Sequence, residues 1–275
     1  MMKRHLFPWL WSLLALCLTL IVVFPLVYAF FGSFKQASEF SRLPPTLLPD
    51  RLDNLDNYLQ VLVQAPFGRY YFNSLLTTLL VCFAKLFLAS LAAYAFAFFT
   101  FRGQRFLFLF LLGTMMLPVD TVLVANYQTV SRLGLTDHYL GICIVAFVGA
   151  SQMFMLRQTF IQSPKELRDA AMMDGCGDLR FLLRILIPFC RPVMITLFMQ
   201  VFVAQWNAYL WPLLVTNSPS MRTVQVGITM LTSAESTNYQ VVLAGTVLAV
   251  LLPVAVFILV RRYLDGAMGE SADPA

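Results

Sequence analysis

Few side chains in this sequence could do chemistry, and most of them are embedded in apolar runs. Lys85 sits near the middle of a long uncharged stretch, about ten residues from either end, so roughly 15 Å of helix separates it from water. A lysine at that depth costs about 2.5–3.5 kcal/mol on insertion scales, and no carboxylate occupies the core of any apolar run to pair with it. Its expected partners are therefore water, backbone carbonyls or another subunit. It reads either as a residue of a polar pathway or subunit interface, or as a structural lysine satisfied by neighbouring carbonyls. A second group is Gln200, Gln205 and Asn207 beside Trp206, Tyr209 and Trp211. Gln200, Asn207 and Trp211 are seven and then four residues apart, which puts them on one face of a continuous helix. Such a face could line a polar route; alternatively, the aromatics form an interfacial belt and the amides bond across helices.

The third group is the charged stretch Ser163–Pro188, SPKELRDAAMMDGCGDLRFLLRILIP. Ser163 can cap a helix, Pro164 suits its first position, and Glu166 three residues after Ser163 completes a capping box. Gly175 supplies a left-handed stop, and a second helix can begin after Gly177-Asp178 and run to Pro188. The small residues Ala170 and Ala171 lie between, where another backbone could come close. The stretch reads as a helix–turn–helix shaped for a partner, or as an ordinary amphipathic loop. Catalytic patterns are missing: there is no GxSxG, no HExxH, and no glycine-rich loop ending in Gly-Lys-Ser/Thr. The five cysteines, Cys17, Cys82, Cys143, Cys176 and Cys190, form no CxxC pair, and with only two histidines no metal site is expected. No enzyme, nucleotide-binding or cofactor chemistry is expected in this chain, so any ATP and magnesium would be held by another one.

The elements that must carry these residues follow from hydropathy. The 275 residues are 59% hydrophobic and 12% charged, with mean hydropathy +0.75, against roughly 25% charged in a soluble domain. The uncharged runs are too long and too unalternating for a β-barrel. The fold class is therefore an all-α membrane protein in contact with the lipid bilayer. The net charge of +5 forms no basic stripe with interleaved aromatics, so no nucleic acid partner is indicated.

Six spans are expected, each near the roughly 20 residues a spanning helix needs. They lie at Leu6 to Phe31, Phe72 to Phe99, from Phe106 to an interruption at Pro118 and Asp120, Tyr139 to Leu156, Val193 to Val215, and Val241 to Val260. The first run is longer than a signal-peptide core and lacks an A-x-A exit, so it reads as a retained span. Asp120, after Pro118, marks either a broken helix at a binding site or the outer end of the third span. Residues 1–71 read as the first span plus an ordered external connector. Residues 72–265 read as a five-helix core with the Ser163–Pro188 loop at 163–188, and 266–275 as a short disordered tail. Lysine and arginine placement sets the orientation. With the N-terminus inside, twelve basic residues fall on inner segments and six on outer ones, with Lys85 in a span. Both termini and the Ser163–Pro188 stretch are then cytoplasmic.

The run Glu166-Leu-Arg-Asp169-Ala170-Ala171-Met-Met-Asp174-Gly175, followed by Phe181, Ile185 and Pro188, resembles the EAA loop of binding-protein-dependent ABC importer permeases. Asp169 stands where that motif has glutamate, and Ile187 precedes the proline. Trp206-Asn207-Ala-Tyr209-Leu210-Trp211-Pro212-Leu213, Met116-Leu117-Pro118 and Leu133-Gly134-Leu135-Thr-Asp137 are similar to the carbohydrate-uptake, maltose-type subfamily. The resemblance covers about residues 10 to 265. It implies a half-pore paired with a second homologous permease subunit, a coupling helix ending at Gly175 seated on a cytoplasmic ATPase dimer, and an extracytoplasmic solute-binding protein touching parts of the Ser218–Asn238 loop. It further implies ATPase-coupling roles for Glu166, Asp169, Ala170, Ala171, Asp174 and Gly175 in a bacterial inner membrane. The expected solute is an oligosaccharide, amino sugar or polyol, the alternatives being glycerol phosphate or a related phosphodiester, or a stand-alone secondary carrier.

Overall fold

The computed structural model describes residues 6–231 and 238–269, and among these every regular element is a helix. In chain order the helices are α1 (Leu6–Gly32), α2 (Ala37–Phe40), α3 (Asp56–Gln64), α4 (Phe67–Phe98) and α5 (Gln104–Thr114). They continue with α6 (Leu123–Arg132), α7 (Tyr139–Cys143), α8 (Ala150–Ile161), α9 (Lys165–Met173) and α10 (Asp178–Phe181). The last five are α11 (Ile187–Phe189), α12 (Arg191–Trp206), α13 (Leu210–Val215), α14 (Val224–Met230) and α15 (Tyr239–Gly269). Two compact units result, one of residues 1–68 with 227–252 and the other of 69–226 with 253–275.

In the first unit, α1 carries no charged residue and is apolar all the way round, with Pro25 tolerated inside it. A helix of that kind is stable only where lipid or protein surrounds it, because its backbone groups are satisfied internally and its surface is not wetted. The connector after it is tied down by buried polar groups. Asn57 donates to the carbonyls of Ser33 and Lys35 at 2.7 and 2.8 Å, and the carboxylate of Glu39 accepts the backbone N–H groups of Gln36 and Asp50, each at 3.0 Å. The ammonium of Lys35 donates to the Thr46 carbonyl and lies 5.5–5.7 Å from the Phe40 and Tyr28 rings.

The second unit holds the charged hairpin and the polar residues of the apolar helices. Its core is built on α4, which contributes Leu86, Ala93 and Phe96, and on Leu156 and Phe160 of α8 and Phe181 of α10. Three helices are long and apolar enough to cross a membrane: Trp11–Gly32 within α1, α4, and Tyr239–Arg261 within α15. Two further crossings arise if bent pairs count as one span each. Tyr139–Ala146 and Ala150–Ile161 meet at 50°, and Asp178–Phe189 and Arg191–Trp206 meet at 84°.

Three of the expected spans are thus more broken than hydropathy indicates. The third run ends at Thr114 after 11 residues, too short to cross alone, and resumes as a tight helical turn at Val119–Val122 followed by α6. The fourth breaks ahead of α8, where Gly149 is extended (φ −149°). The fifth stops at Trp206, with Asn207 as its C-cap, before α13 begins at Leu210. Hydropathy averages over such breaks because apolar side chains continue through them while the backbone changes direction.

Candidate functional site

The hairpin after α8 forms a compact fold of its own, and its local rules are visible in the backbone. α9 ends in a Schellman motif. Gly175 adopts φ +71°, its N–H bonds the Met172 carbonyl at 3.0 Å, and the Cys176 N–H bonds the Ala171 carbonyl at 2.9 Å. A Cβ at Gly175 would meet nothing within 4 Å, so glycine is there for its backbone angle and not for space inside this chain. The capping box expected of Ser163 does not form. Its hydroxyl donates instead to the Phe160 carbonyl at 2.6 Å, and α9 starts at Lys165 with Pro164 in the cap position and no side-chain cap. The Phe160 carbonyl, in the last turn of α8, thus takes both the hydroxyl and the backbone N–H of Ser163.

Of the residues expected on the coupling surface, Glu166, Asp169, Ala170, Asp174 and Gly175 are exposed. Ala171 is not: it is 5% exposed and packs in the chain's own core. The hairpin is anchored by three residues that pattern reading did not single out. Tyr94 of α4 donates to the Asp178 carboxylate at 2.7 Å, and Arg168 of α9 meets the same oxygen at 3.2 Å. The Arg168 guanidinium also lies over the Phe98 ring at 5.1 Å. Asp178 is thereby held below its ordinary carboxylate pKa, first by the Tyr94 hydroxyl and then by Arg168. One carboxylate ties the start of α10, the middle of α9 and the end of α4 together. Beyond it, Leu182–Leu186 is wound as a π-helix ahead of the 84° bend. The sequence signal was present in Gly177-Asp178 opening a helix, but the partners come from residues 10 and 84 positions away.

The residues expected on a polar route are partly gathered and partly separated. The aliphatic stem of Lys85 passes over Gly149 at the break before α8, where a Cβ would stand 3.2 Å from Lys85 Cδ and 2.2 Å from Gln152 Oε1. Gln152 is buried, accepts from Ser151 at 2.9 Å, and reaches Gln200 of α12 in a long 3.5 Å contact. Lys85 and Gln152 therefore both pack against Gly149, and Gln152, an amide the sequence reading passed over although it sits in the fourth apolar run, links α8 to Gln200 of α12. Gln205 is half-buried, one turn along. Asn207 and Trp211 lie apart from this group because α12 ends between them. The Asn207 carbonyl accepts from Gln225 at 3.2 Å, while the Trp211 indole donates to the carbonyls of Gly141 and Ile142, both at 3.2 Å. The shared face expected of Gln200, Asn207 and Trp211 is lost with the helix that would have carried it.

A third polar knot organises the loop from Thr216 to Arg222. Asn73 is fully buried; its amide donates to the Ser220 and Arg222 carbonyls at 2.8 and 2.9 Å and its oxygen accepts from Tyr139 at 2.8 Å. Asp137, at φ +57°, accepts the N–H groups of Asn217 and Ser218 at 2.7 and 2.9 Å, bonds that hold its carboxyl below the ordinary value. The backbone of Asp120 lies in the turn Val119–Val122, while its side chain, residues 232–237 of the Ser218–Asn238 loop, and the tail from 270 lie outside what the structure describes. Among the described residues no group of histidine, cysteine or carboxylate side chains could hold a metal.

This architecture is matched over nearly its whole length by known proteins. The family model of the binding-protein-dependent transport system inner membrane component matches residues 6–269. The sn-glycerol-3-phosphate transport system permease protein UgpE of Agrobacterium fabrum is 34% identical over 262 residues, 92% of each chain. The arabinooligosaccharides transport system permease protein AraQ of Halalkalibacterium halodurans is 31% identical over 268 residues, 95% of this chain and 96% of that one. A crystal structure of a bacterial ABC transporter involved in the import of the acidic polysaccharide alginate shares the fold, with TM-score 0.85 at 23% identity over 96% of this chain and 98% of that one. Matched by the family model over residues 6–269 and by relatives of more than 30% identity, the chain belongs to the binding-protein-dependent inner membrane permeases of ABC importers.

Proposed function

We propose that this chain is one of two homologous permease subunits of an ATP-driven importer for a sugar or sugar-like solute, and that α9 is the coupling helix seated on a cytoplasmic ATPase dimer. The observation that carries the reading is the Asp178 anchor. A helix clamped to the end of α4 through Tyr94 and Arg168 transmits a push to the membrane helices as a lever, whereas a loose loop would absorb it. Glu166, Asp169 and Asp174 offer charge-assisted contacts, and Ala170 and Gly175 leave room for a close approach. Ala171 serves from beneath by packing the helix onto its own core.

In this reading the chain crosses the membrane six times, with α5 and the turn that follows it supplying the third crossing and both termini cytoplasmic. The loop around Thr216–Arg222, held by Asn73 and Asp137, faces an extracytoplasmic solute-binding protein. ATP and magnesium are bound by the partner ATPases. The relatives that carry arabinooligosaccharides and glycerol phosphate support this solute range. A single cysteine at Ala170, placed in a chain without its five native cysteines, should cross-link to the ATPase subunit of the assembled complex and lose that cross-link on release of the ATPase. Cross-linking to the solute-binding protein instead would reverse the orientation and end this proposal.

A further inference from the structure

The connector helix α3 has three different sides. On a wheel of 3.6 residues per turn, Asn57, Tyr58 and Val61 share one arc, and it faces the chain's own connector: Asn57 and Val61 are buried and Tyr58 is half-buried. Asp56, Gln60 and Gln64, at i, i+4 and i+8, form a second arc that is polar and exposed. The third arc, about 100° wide, holds only Leu55, Leu59, Leu62 and Val63. These four are between 57% and 85% exposed. A helix that rests on its own protein in water needs one apolar side; this one has a second, left open by the described chain.

The bonds of α3 fix its height. The apolar window of α1, Trp11–Gly32, has 22 residues and is about 33 Å long, matching the roughly 30 Å of a hydrocarbon core. Ser33 therefore stands at the membrane boundary. Asn57 donates to the Ser33 and Lys35 carbonyls at 2.7 and 2.8 Å, and Tyr58 Oη lies 2.6 Å from Ser33 Oγ. The Tyr58 ring also meets that of Phe34, with centroids 5.6 Å apart. At the other end only Ala65 and Pro66 separate α3 from α4, so Gln64 stays within about 11 Å of the first residue of that helix. The helix is thus held at the level of the lipid headgroups, where hydrocarbon and water are both within reach of its surface.

We propose that α3 is an interfacial helix whose Leu55, Leu59, Leu62 and Val63 side chains rest in the acyl region of the leaflet at which α1 ends. The partner is the lipid itself. The open arc has no aromatic ring, no methionine and no arginine, the residues in which the core of a protein interface is enriched, whereas hydrocarbon asks for apolar area alone. The polar arc has no basic residue, so the attachment is hydrophobic and needs no anionic lipid. This goes beyond the importer function proposed above and holds in either orientation of the chain, because α1 ends and α4 begins at the same face of the membrane.

The test uses the complete transporter in phosphatidylcholine nanodiscs, with native cysteines replaced and one nitroxide attached at a time through Leu59→Cys, Leu62→Cys, Gln60→Cys or Gln64→Cys. Power saturation reads collisions with oxygen, which gathers in lipid, and with a nickel chelate, which stays in water. Labels at positions 59 and 62 should favour oxygen and report a depth of about 5–10 Å into the headgroup–acyl boundary. Labels at positions 60 and 64 should favour the nickel chelate. Labels at 59 and 62 that are shielded from both reagents would place the second permease subunit or the solute-binding protein on this arc and overturn the proposal. A preference for nickel at all four positions would overturn it as well. ATP hydrolysis stimulated by the solute-binding protein is measured on the same nanodiscs. Its absence with labels 59 and 62 seated in lipid would count against the importer function alone, since the depth reports on α3 independently.

Discussion

Gly175 offers the sharpest test of how the hairpin works, because its two conceivable roles separate by substitution. The residue sits at φ +71° with open space where a Cβ would go, so any folding cost of a side chain comes from the backbone angle alone. For an L-residue that angle costs about 1–2 kcal/mol, with β-branched residues at the upper end and asparagine well below it. Gly175→Val should therefore favour a rearranged turn by about 2 kcal/mol, roughly a 30-fold shift, and open the bonds from Gly175 and Cys176 to the Met172 and Ala171 carbonyls. Gly175→Asn should keep both bonds at a cost of a few tenths of a kcal/mol. The assay is solute taken up per ATP hydrolysed in proteoliposomes, alongside the amount of ATPase retained by the purified complex. Valine should uncouple and asparagine should stay near wild type if the turn geometry is what matters. Equal damage from both would mean that the partner needs the bare backbone surface, and full coupling in the valine variant would refute the lever argument.

Other expectations follow from the remaining polar knots. Tyr94→Phe and Asp178→Asn should each destabilise the hairpin by about 1 kcal/mol, discounted because the Asp178–Arg168 pair is partly exposed, and the double variant should cost less than the sum in a double-mutant cycle read by hydrogen exchange of α9. Because the folded carboxyl of Asp178 titrates below its unfolded value near 3.8, its stabilisation is complete above that value and is lost as the pH falls through the lower folded value. The difference in thermal stability between wild type and Asp178→Asn should thus be flat from about pH 7 to about pH 5 and shrink only below about pH 4. Asp137→Ala should speed amide exchange of Asn217 and Ser218 about tenfold, the equivalent of about 1.4 kcal/mol for the two lost acceptors, while amides of α8 stay unchanged. Gly141→Ala should cost about 2–3 kcal/mol of thermal stability, since its Cβ would stand 2.0 Å from the Leu135 carbonyl oxygen; an alanine variant with unaltered stability would show that this turn yields easily.

Lipid makes the coarse design readable in one dimension. A stretch without charge must find an apolar surrounding, and a stretch dense in charge must leave it, so the helical class, the apolar runs and the polar hairpin at Ser163–Pro188 were all legible from residue order. The left-handed stop at Gly175 was legible too, because only the backbone of a few neighbours decides it. What order alone could not reveal are the events that depend on which groups meet across distance. Ser163 bonded back to the Phe160 carbonyl of α8 and did not cap α9, Ala171 turned inward, and α12 ended ahead of Trp211. Asp178 looked like one more acid in a charged loop until the fold set it against Tyr94 and Arg168. Likewise Lys85 stood out in the sequence, but Gly149 at the break before α8 and Gln152 within that helix are brought beside its stem only by packing. An apolar run and a left-handed glycine stop follow local free energies that a sequence displays, whereas a hydrogen bond, the burial of one small residue or the end of an apolar helix depends on which groups meet, and only the packed chain decides that.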